Sequence, residues 1–529
     1  MLFPKRGRVS ANSGGDQSAQ ASSAMPNRRD VLRAAGLVGV SAVAATTLAG
    51  CADSKGAGAD SQLANDSALA RQFPNGFTWG VGTSAYQIEG AYNVGGRKPS
   101  IWDTYCRISG KIVGNANGDV ACDHYNLYPR DVELMAELGV KDYRLSIAWP
   151  RIIPDGRGQV NEQGVDFYKR LLDDLASHGI TAHATLFHWD TPQALQDKYR
   201  GWESREIAAD FADYCTATVQ RLGDRVQHWY TTNEIRSFIH TAYTYPGGPF
   251  EGAPPFAPSI ELPSEKVFWQ TSHNALLAHG MGVQAIRAVA PSGSTVTLVE
   301  DSVTYVPLTE TTEDIEATAR AFRSMSPNGG IIVPILTGEY DPIFLENLGA
   351  NGPNIREGDM ATISTPIDGF GFNTYSASYV RAADNSVGAE ELPFPDGYPT
   401  YQSSWLKFVP ETVYWGVRMF SQSLNRSDLQ IVVTESGASQ PDVIDANGEV
   451  MDTGRIMYLR ETLNSAYRAI SEGYPLDGFF VWSYMDNFEW ASGYSQRFGI
   501  TYVDFDTQVR TPKQSYRWYS DVIKQNRVM

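Results

Sequence analysis

The sequence predicts an α/β fold, a single (β/α)₈ TIM barrel with long loops after its strands. From residue 71 onward, short runs rich in β-branched and aromatic residues alternate about eight times with longer segments whose apolar residues recur at three and four positions. Alternating strands and helices form parallel sheets, and eight repeats suit a closed barrel. Several strand ends also carry polar side chains. An open, doubly wound sheet is the structural alternative.

The elements of this barrel can be placed along the chain. The candidate strands are residues 77–82, 141–149, 181–188, 226–234, 295–301, 368–375, 430–435 and 477–483. Helices are predicted over residues 131–138, 165–178, 204–222, 264–289 and 455–472. The loops 243–258 and 382–401 are rich in Gly, Pro and aromatic residues, and such loops build the active-site face of a barrel.

The N-terminal region predicts export. Arg28-Arg29 precede an apolar run that ends in Leu48-Ala49-Gly50-Cys51, so residues 1–51 are interpreted as a signal peptide. The arginine pair resembles a twin-arginine signal, and the last four residues resemble a lipobox in which Cys51 becomes lipidated. An ordinary Sec signal is the alternative. Residues 52–70 would be a flexible tether, and residues 71–525 the catalytic barrel.

These signals predict a periplasmic or cell-surface protein that is lipid-anchored at Cys51. No later stretch is apolar over enough residues to span a bilayer, so membrane contact is expected only through this anchor. Three other cysteines remain, Cys106, Cys122 and Cys215, which excludes a full disulfide framework and leaves a Cys106–Cys122 bridge open.

The amino-acid composition limits the classes of molecule that this protein could bind. Asp and Glu total 60 against 43 Lys and Arg, and the resulting net charge of −17 excludes nucleic acid as a partner. The 12 Trp and 27 Tyr supply flat faces on which sugar rings stack, although a large core would also use them. No His or Cys pair has the spacing of a zinc site, and we expect no metal and no cofactor. The oligomeric state is left open.

Two predicted strands end in a glutamate. The run 430–435 delivers Glu435 just before Ser436-Gly437, and the run 226–234 delivers Glu234. In a closed sheet, strand ends that are far apart in sequence can face each other. Paired carboxylates at one site point to cleavage of a glycosidic bond.

Other polar and aromatic residues end the predicted strands and would converge on the same mouth of the barrel. They are Arg144, His188, Trp189, Asn233, Asn373, Tyr375 and Trp482. Each one alone could instead pack in the core or cap a turn, but their shared location favours a binding pocket.

The chain resembles glycoside hydrolase family 1, the retaining β-glucosidases and their relatives. The motifs that carry the resemblance are Thr231-Thr232-Asn233-Glu234, Val433-Thr434-Glu435-Ser436-Gly437 and Val481-Trp482-Ser483-Tyr484-Met485-Asp486-Asn487-Phe488-Glu489-Trp490. Further similar segments cover essentially all of residues 73–520 in order. The family usually has proline where this chain has Ile235 and asparagine where it has Ser436, and Thr374 replaces a common tyrosine.

The resemblance implies a role for each matched residue. Glu435 matches the nucleophile and Glu234 the general acid/base, with Arg144, Asn373 and Tyr375 supporting the nucleophile. The residues that match the sugar-binding set are Gln87, His188, Trp189, Asn233, Trp482, Glu489, Trp490 and Phe498. The implied substrates are small β-glycosides or oligosaccharides. The poorly matching segments 243–258 and 308–352 are expected to contact the leaving group.

The implied chemistry requires two carboxyls in different states. Retaining glycosidases place them about 5–5.5 Å apart, one ionised to attack the anomeric carbon and one protonated to assist departure. Arg144 beside Glu435 would favour the ionised form there, and that charge would oppose ionisation of Glu234. The leading hypothesis is an exported β-glucosidase. A transglycosidase and a lipid-anchored sugar-binding protein on an inactive scaffold are the alternatives, and glucoside, galactoside or fucoside preference is left open.

Overall fold

The computed structural model describes residues 71–243, 264–325, 327–424, 426 and 428–528. The signal peptide, Cys51 and the tether at 52–70 lie outside these residues. Eight parallel strands close into a barrel in chain order. They are β1 (Thr78–Gly82), β2 (Asp142–Ser146), β3 (Thr181–Phe187), β4 (His228–Asn233), β5 (Thr295–Glu300), β6 (Gly369–Asn373), β7 (Gln430–Ser436) and β8 (Leu476–Trp482). The predicted fold class is confirmed.

All eight strands lie within or beside the predicted runs, with shifted ends. The largest difference is at β2, which ends at Ser146 rather than at residue 149. Trp149 instead begins the short helix Trp149–Ile152. Pro150 explains the change, because proline has no N–H to donate to a strand ladder but is well suited to the first turn of a helix.

A helix follows each barrel strand and packs outside it. The main ones are α1 (His124–Leu138), α2 (Glu162–Ser177), α3 (Glu206–Leu222), α4 (Glu265–Val289), α5 (Thr312–Ser324), α6 (Thr412–Ser423), α7 (Thr453–Ser471) and α8 (Gln514–Gln525). Shorter helices are Ala85–Ile88, Ile101–Tyr105, Gln193–Tyr199, Ile235–Ala242, Asn328–Thr337, Pro342–Leu348 and Asp359–Ile363. None of the helices in the described ranges is both long and apolar enough to cross a bilayer.

The loops after β5 and β6 contain a small extra sheet. Tyr305–Pro307 pairs with Ser378–Ala382, which pairs in turn with Ala389–Leu392. Part of the predicted loop 382–401 is therefore a strand. Two further antiparallel pairs are Thr501–Val503 with Arg510–Pro512, and Arg71–Gln72 with Arg527–Val528.

The core lies inside the barrel and between the barrel and its helices. On β6 the rings of Phe370 and Phe372 pack against Phe420 of α6, with centroids 4.3 and 5.2 Å away. Burying a side chain of this size stabilises the fold by about 1.5–3 kcal/mol. Cys106, Cys122 and Cys215 are buried free thiols, so the bridge left open above is absent from this structure.

A buried ion cluster ties the loop after β8 to the C-terminal part of the chain. Its members are Asp442, Asp452, Arg455, Asp486, Arg497 and Lys513. The Lys513 ammonium lies 2.5 Å from a carboxylate oxygen of Asp442 and 2.6 Å from one of Asp486. Three cations thus balance three carboxylates, and removing any one partner would leave a buried charge uncompensated.

Candidate active site

The carboxyl ends of the barrel strands surround a cavity of about 580 Å³. Strand ends supply Asn233, Glu234, Asn373, Glu435 and Trp482 to its wall. A side chain that ends a parallel strand points into the mouth of the barrel, which explains why residues distant in sequence meet here.

Glu435 is held by two donors. Its side chain is 4% exposed, with Arg144 Nη1 donating to Oε1 at 2.5 Å and Tyr375 Oη donating to Oε2 at 2.7 Å. Burial raises the pKa of Glu435, whereas the guanidinium and the hydroxyl lower it. Both contacts favour the ionised carboxylate that a nucleophile needs.

Glu234 has a different environment. Asn373 Nδ2 donates to its Oε1 at 2.7 Å, and among the described residues no cationic nitrogen lies within 4.0 Å of its carboxyl. Burial, followed by the charges of Asp301 and Glu435, raises the pKa of Glu234 well above its usual value. Of the two glutamates, Glu234 is therefore the one whose surroundings favour the protonated form.

Asn233 links the two glutamate environments. Its Oδ1 accepts from Arg144 Nη2 at 2.5 Å and from Asn373 Nδ2 at 3.1 Å. Its Nδ2 lies 3.2 Å from His188 Nε2, which must accept in that bond. Burial and the charge of Arg144 lower the pKa of His188, so a neutral imidazole fits this role.

Gln87 lies behind the cavity wall, where it holds the loop after β8. Its Nε2 donates to the carbonyl oxygen of Phe488 at 3.0 Å, and lies 3.4 Å from Glu489 Oε2. Burial and the charge of Glu435 raise the pKa of Glu489 to about 8. Glu489 lines the cavity, whereas Gln87 and Arg144 reach the site through the residues they bind. That Gln87 binds a sugar hydroxyl stays a prediction.

Aromatic rings form a continuous wall of the cavity. Trp189 and Trp490 stack with centroids 4.6 Å apart, and His188 stacks on Trp482 at 5.9 Å. Phe498 also lines the cavity. Such faces suit the C–H surfaces of a sugar ring.

Three of the cavity residues have left-handed backbone conformations that non-glycine residues seldom adopt. Their φ values are 76° at Trp189, 54° at Glu234 and 46° at Trp490. Each costs about 1–3 kcal/mol, and such residues cluster at functional sites because the surrounding structure fixes a side chain in place.

The outer part of the cavity is lined by residues that the sequence patterns did not indicate. Arg236, Ser237 and Asp301 lie in its wall, as do Phe394 and Lys407. No motif marks them, although Asp301 ends the predicted strand 295–301. Trp405 also lines it, is 57% exposed, and has its ring centroid 5.8 Å from that of Tyr375.

One expectation about the leaving-group side is wrong. The described residues of segment 308–352 contribute nothing to the cavity lining, because that part of the chain forms the helices Thr312–Ser324, Asn328–Thr337 and Pro342–Leu348. Beyond Tyr243, segment 243–258 lies outside the described residues. The described part of the chain also has no group of three or more His, Cys, Asp or Glu side chains that could hold a metal ion.

The position of Glu435 depends on a glycine. A Cβ on Gly437 would lie 1.6 Å from the carbonyl oxygen of Trp482, so Gly437→Ala must displace the end of β7 or of β8. We expect a loss of about 1–3 kcal/mol in unfolding free energy, measured by urea denaturation, and a lower kcat. Gly352→Ala is the control, since its nearest contact would be 3.5 Å away. Equal stability of the two variants would contradict this packing.

The chain matches the sequence pattern of one protein family over all of its described residues. The sequence model described as Glycosyl hydrolase family 1 matches residues 69–528. This chain belongs to glycosyl hydrolase family 1. The predicted resemblance is confirmed, and the chain is an O-glycosyl hydrolase by family.

This family 1 chain aligns with curated relatives over nearly the whole length of each relative. A 1,4-beta-D-glucan glucohydrolase of Thermotoga neapolitana is 40% identical over 86% of this chain and 99% of the relative. Beta-glucosidase A of Thermotoga maritima is 39% identical over 86% of this chain and 98% of its own. The solved family 1 β-glucosidase from Thermotoga maritima superposes with a TM-score of 0.77 at 38% identity, over 87% of this chain and 100% of that one.

Proposed function

We propose that this family 1 enzyme is an exported β-glucosidase that hydrolyses terminal β-D-glucosyl residues with retention of configuration. The observation that carries the proposal is the asymmetry between its two glutamates. Glu435 accepts from Arg144 and Tyr375, whereas Glu234 is buried beside carboxylates without a cation in contact among the described residues. One carboxyl suits attack and the other suits proton donation.

The first step of the proposed reaction forms a glycosyl-enzyme. A carboxylate oxygen of Glu435 bonds to the anomeric carbon while the bond from that carbon to the aglycone oxygen breaks. The proton of Glu234 moves to the departing oxygen, so that the aglycone leaves as a neutral alcohol. Arg144 and Tyr375 hold Glu435 oriented for this attack.

The second step reverses these roles with water. Glu234, now a carboxylate, takes a proton from water as the water oxygen bonds to the anomeric carbon and the ester bond to Glu435 breaks. Two inversions give net retention. If another sugar alcohol replaces water in this step, the same residues perform transglycosylation.

The relatives support glucose as the transferred sugar. The names of the two Thermotoga relatives specify glucan glucohydrolase and β-glucosidase activity. The Thermotoga maritima β-glucosidase has also been solved in complex with deoxynojirimycin, at 38% identity and a TM-score of 0.76. The sugar-binding residues assigned by resemblance, His188, Asn233, Trp482, Glu489 and Trp490, line one cavity.

Hydrolysis of aryl β-glycosides by the purified protein tests the proposal. We expect the glucoside to be cleaved and the first-formed sugar, observed by NMR, to be the β-anomer. An α-anomer would contradict the retaining scheme. If the folded protein cleaves none of the aryl β-glycosides, the result would favour the sugar-binding alternative. If the glycosyl group is transferred to an added glycoside in preference to water, the result would favour the transglycosidase.

The cavity predicts discrimination against phosphorylated sugars. A 6-phosphoglucoside would bring a dianion into a pocket that holds the Glu435 carboxylate and the acidic side chains of Glu234 and Glu489. The Glu435 charge would repel the phosphate, and the phosphate would oppose ionisation of the other two. We expect kcat/KM for a neutral aryl β-glucoside to exceed that for its 6-phospho form at least about 100-fold, or about 2.7 kcal/mol. Comparable values would show that Glu489 does not bind the outer hydroxyls of the sugar.

Export and lipidation are part of the proposal and rest on the N-terminal sequence. Arg28-Arg29 and the Leu48–Cys51 segment support twin-arginine export followed by lipid attachment at Cys51. Changing the arginine pair to Lys-Lys should leave at least about 90% of the protein unexported, measured by cell fractionation. Cys51→Ala should abolish palmitate labelling. Normal export of the Lys-Lys variant would instead indicate the Sec route.

A further inference from the structure

A buried carboxylate outside the predicted site contacts the backbone that carries Glu234. Glu300 ends β5 and is 0% exposed. Its Oε2 accepts the N–H of Ile235 at 2.7 Å and its Oε1 accepts the N–H of Arg236 at 2.9 Å. These are the first two residues of the helix Ile235–Ala242, which begins directly after Glu234.

This contact replaces a cap that Glu234 does not provide. The first N–H groups of a helix have no partner within the helix, and the residue before the helix usually binds one with its side chain. Glu234 occupies that place with φ 54° and makes no such bond, because its carboxyl lies in the cavity and accepts from Asn373. Glu300 supplies the cap from the neighbouring strand, and it needs an N–H at 235, where the resembling family usually has proline.

The surroundings of Glu300 act on it in opposite directions. Both of its oxygens accept N–H groups, which suits a carboxylate at a helix N-terminus. Burial and the adjacent Asp301 nevertheless hold the pKa of Glu300 well above its usual range, against the opposing effect of the Arg236 N–H and guanidinium. On the same helix, His240 is neutral because burial lowers its pKa.

The remaining charged groups form two ion pairs. The Arg236 guanidinium binds the Asp301 carboxylate, and Ser237 Oγ donates to the same carboxylate at 2.6 Å. Across the cavity, Arg144 binds Glu435. Burial and the charges of Asp301 and Glu435 raise the pKa of Glu234 more than Glu300 does. What Glu300 contributes is therefore its two contacts with the backbone that follows Glu234.

We propose that Glu300 is a positioning residue for the catalytic acid: by accepting the N–H groups of Ile235 and Arg236, it fixes the backbone on which Glu234 is carried. The inference rests on the proposed role of Glu234 as general acid. It adds a residue that touches neither the substrate nor the reacting atoms.

The test is Glu300→Gln, with kcat/KM compared between substrates whose leaving groups differ in their need for an acid. The amide keeps one acceptor oxygen and loses the other, so one of the N–H groups of Ile235 and Arg236 loses its partner and the backbone that carries Glu234 is held less firmly. At the optimum, we expect kcat/KM to fall about tenfold for phenyl β-glucoside and less than threefold for 2,4-dinitrophenyl β-glucoside, which needs little acid assistance.

Asp341→Asn is the matched control. Asp341 Oδ1 accepts the N–H groups of Ile343 and Phe344 at 3.0 and 3.1 Å, at the start of the helix Pro342–Leu348. It therefore loses a comparable helix cap away from the cavity. We expect a similar loss of stability but no difference between the two substrates in the change of kcat/KM. A leaving-group-dependent loss that is equal in both variants, or absent from both, would overturn the proposal.

Glu300→Asp keeps the test decisive if Glu300→Gln does not fold. It keeps both acceptor oxygens but shortens the reach to Ile235 and Arg236, so we expect phenyl β-glucoside to lose more activity than the dinitrophenyl substrate. Equal losses on both substrates would overturn the positioning role. If the wild-type protein cleaves no β-glucoside, the proposed function itself fails, which is a distinguishable result.

Discussion

Glu435→Gly is expected to lower kcat on aryl β-glucosides by about 10⁴-fold or more, the largest single effect in this enzyme. The variant lacks the carboxylate that forms the glycosyl-enzyme, and water cannot reach the anomeric carbon from that face with a base beside it. Added azide should enter the vacated space beside Arg144 and Tyr375 and restore turnover. It would form a bond to the anomeric carbon as the aryloxide leaves, giving the α-glucosyl azide.

The product configuration makes this result decisive. An α-azide shows one displacement from the face where Glu435 lies, whereas a β-azide would assign the nucleophile to another residue. Residual hydrolysis within 100-fold of the wild type, measured on protein free of wild-type contamination, would also contradict the assignment. Tyr375→Phe, which retains the carboxylate and removes only its hydroxyl donor, should lose far less activity and serves as the comparison.

Glu234→Ala is expected to have the second largest effect, and its size should depend on the leaving group. General acid catalysis contributes about 10²–10⁴-fold, so formation of the glycosyl-enzyme from phenyl β-glucoside should slow by about 10³-fold. With 2,4-dinitrophenyl β-glucoside, whose leaving group departs as a stable anion, the first step should slow less than tenfold. Azide should attack the intermediate and give the β-glucosyl azide.

The pH profile of this variant provides an independent check. In the wild type, we expect activity to be lost at low pH as Glu435 is protonated and at high pH as Glu234 loses its proton. Burial and the neighbouring carboxylates raise the pKa of Glu234. Glu234→Ala should therefore lose the basic limb and keep the acidic one. A basic limb that persists on the dinitrophenyl substrate would assign it to a different group.

The sequence was sufficient to predict the barrel because its signals are local. The run Ile431-Val432-Val433 reads as a buried strand whatever lies around it, and it is one. The strand-end residues Glu234, Asn373, Glu435 and Trp482 were predicted to meet, since parallel strands in a barrel deliver their ends to one face, and they do line one cavity. Their chemical roles stay predictions until the variants are measured.

What the sequence did not indicate depends on contacts between distant residues. Glu300 and Ile235 are 65 positions apart, and no periodicity relates a carboxylate to an N–H group across two strands. Trp405 and Phe394 lie in loops that have no helical or strand pattern. The sequence therefore did not predict that these two side chains line the cavity. Loop 382–401 was misjudged for the reverse reason, because its Gly and Pro content hid a short strand, Ala389–Leu392.

The buried ion cluster has a consequence for how the enzyme opens locally. Lys513 lies just before α8, and its bond to Asp486 joins that helix to the loop that carries Glu489 and Trp490. Separating Lys513 from Asp486 would leave unpaired charges in the protein interior. Opening either segment without the other therefore costs a large free energy. The sugar-binding loop and the C-terminal helix should therefore exchange their amide hydrogens as one cooperative unit, and thermal inactivation should begin with the two together.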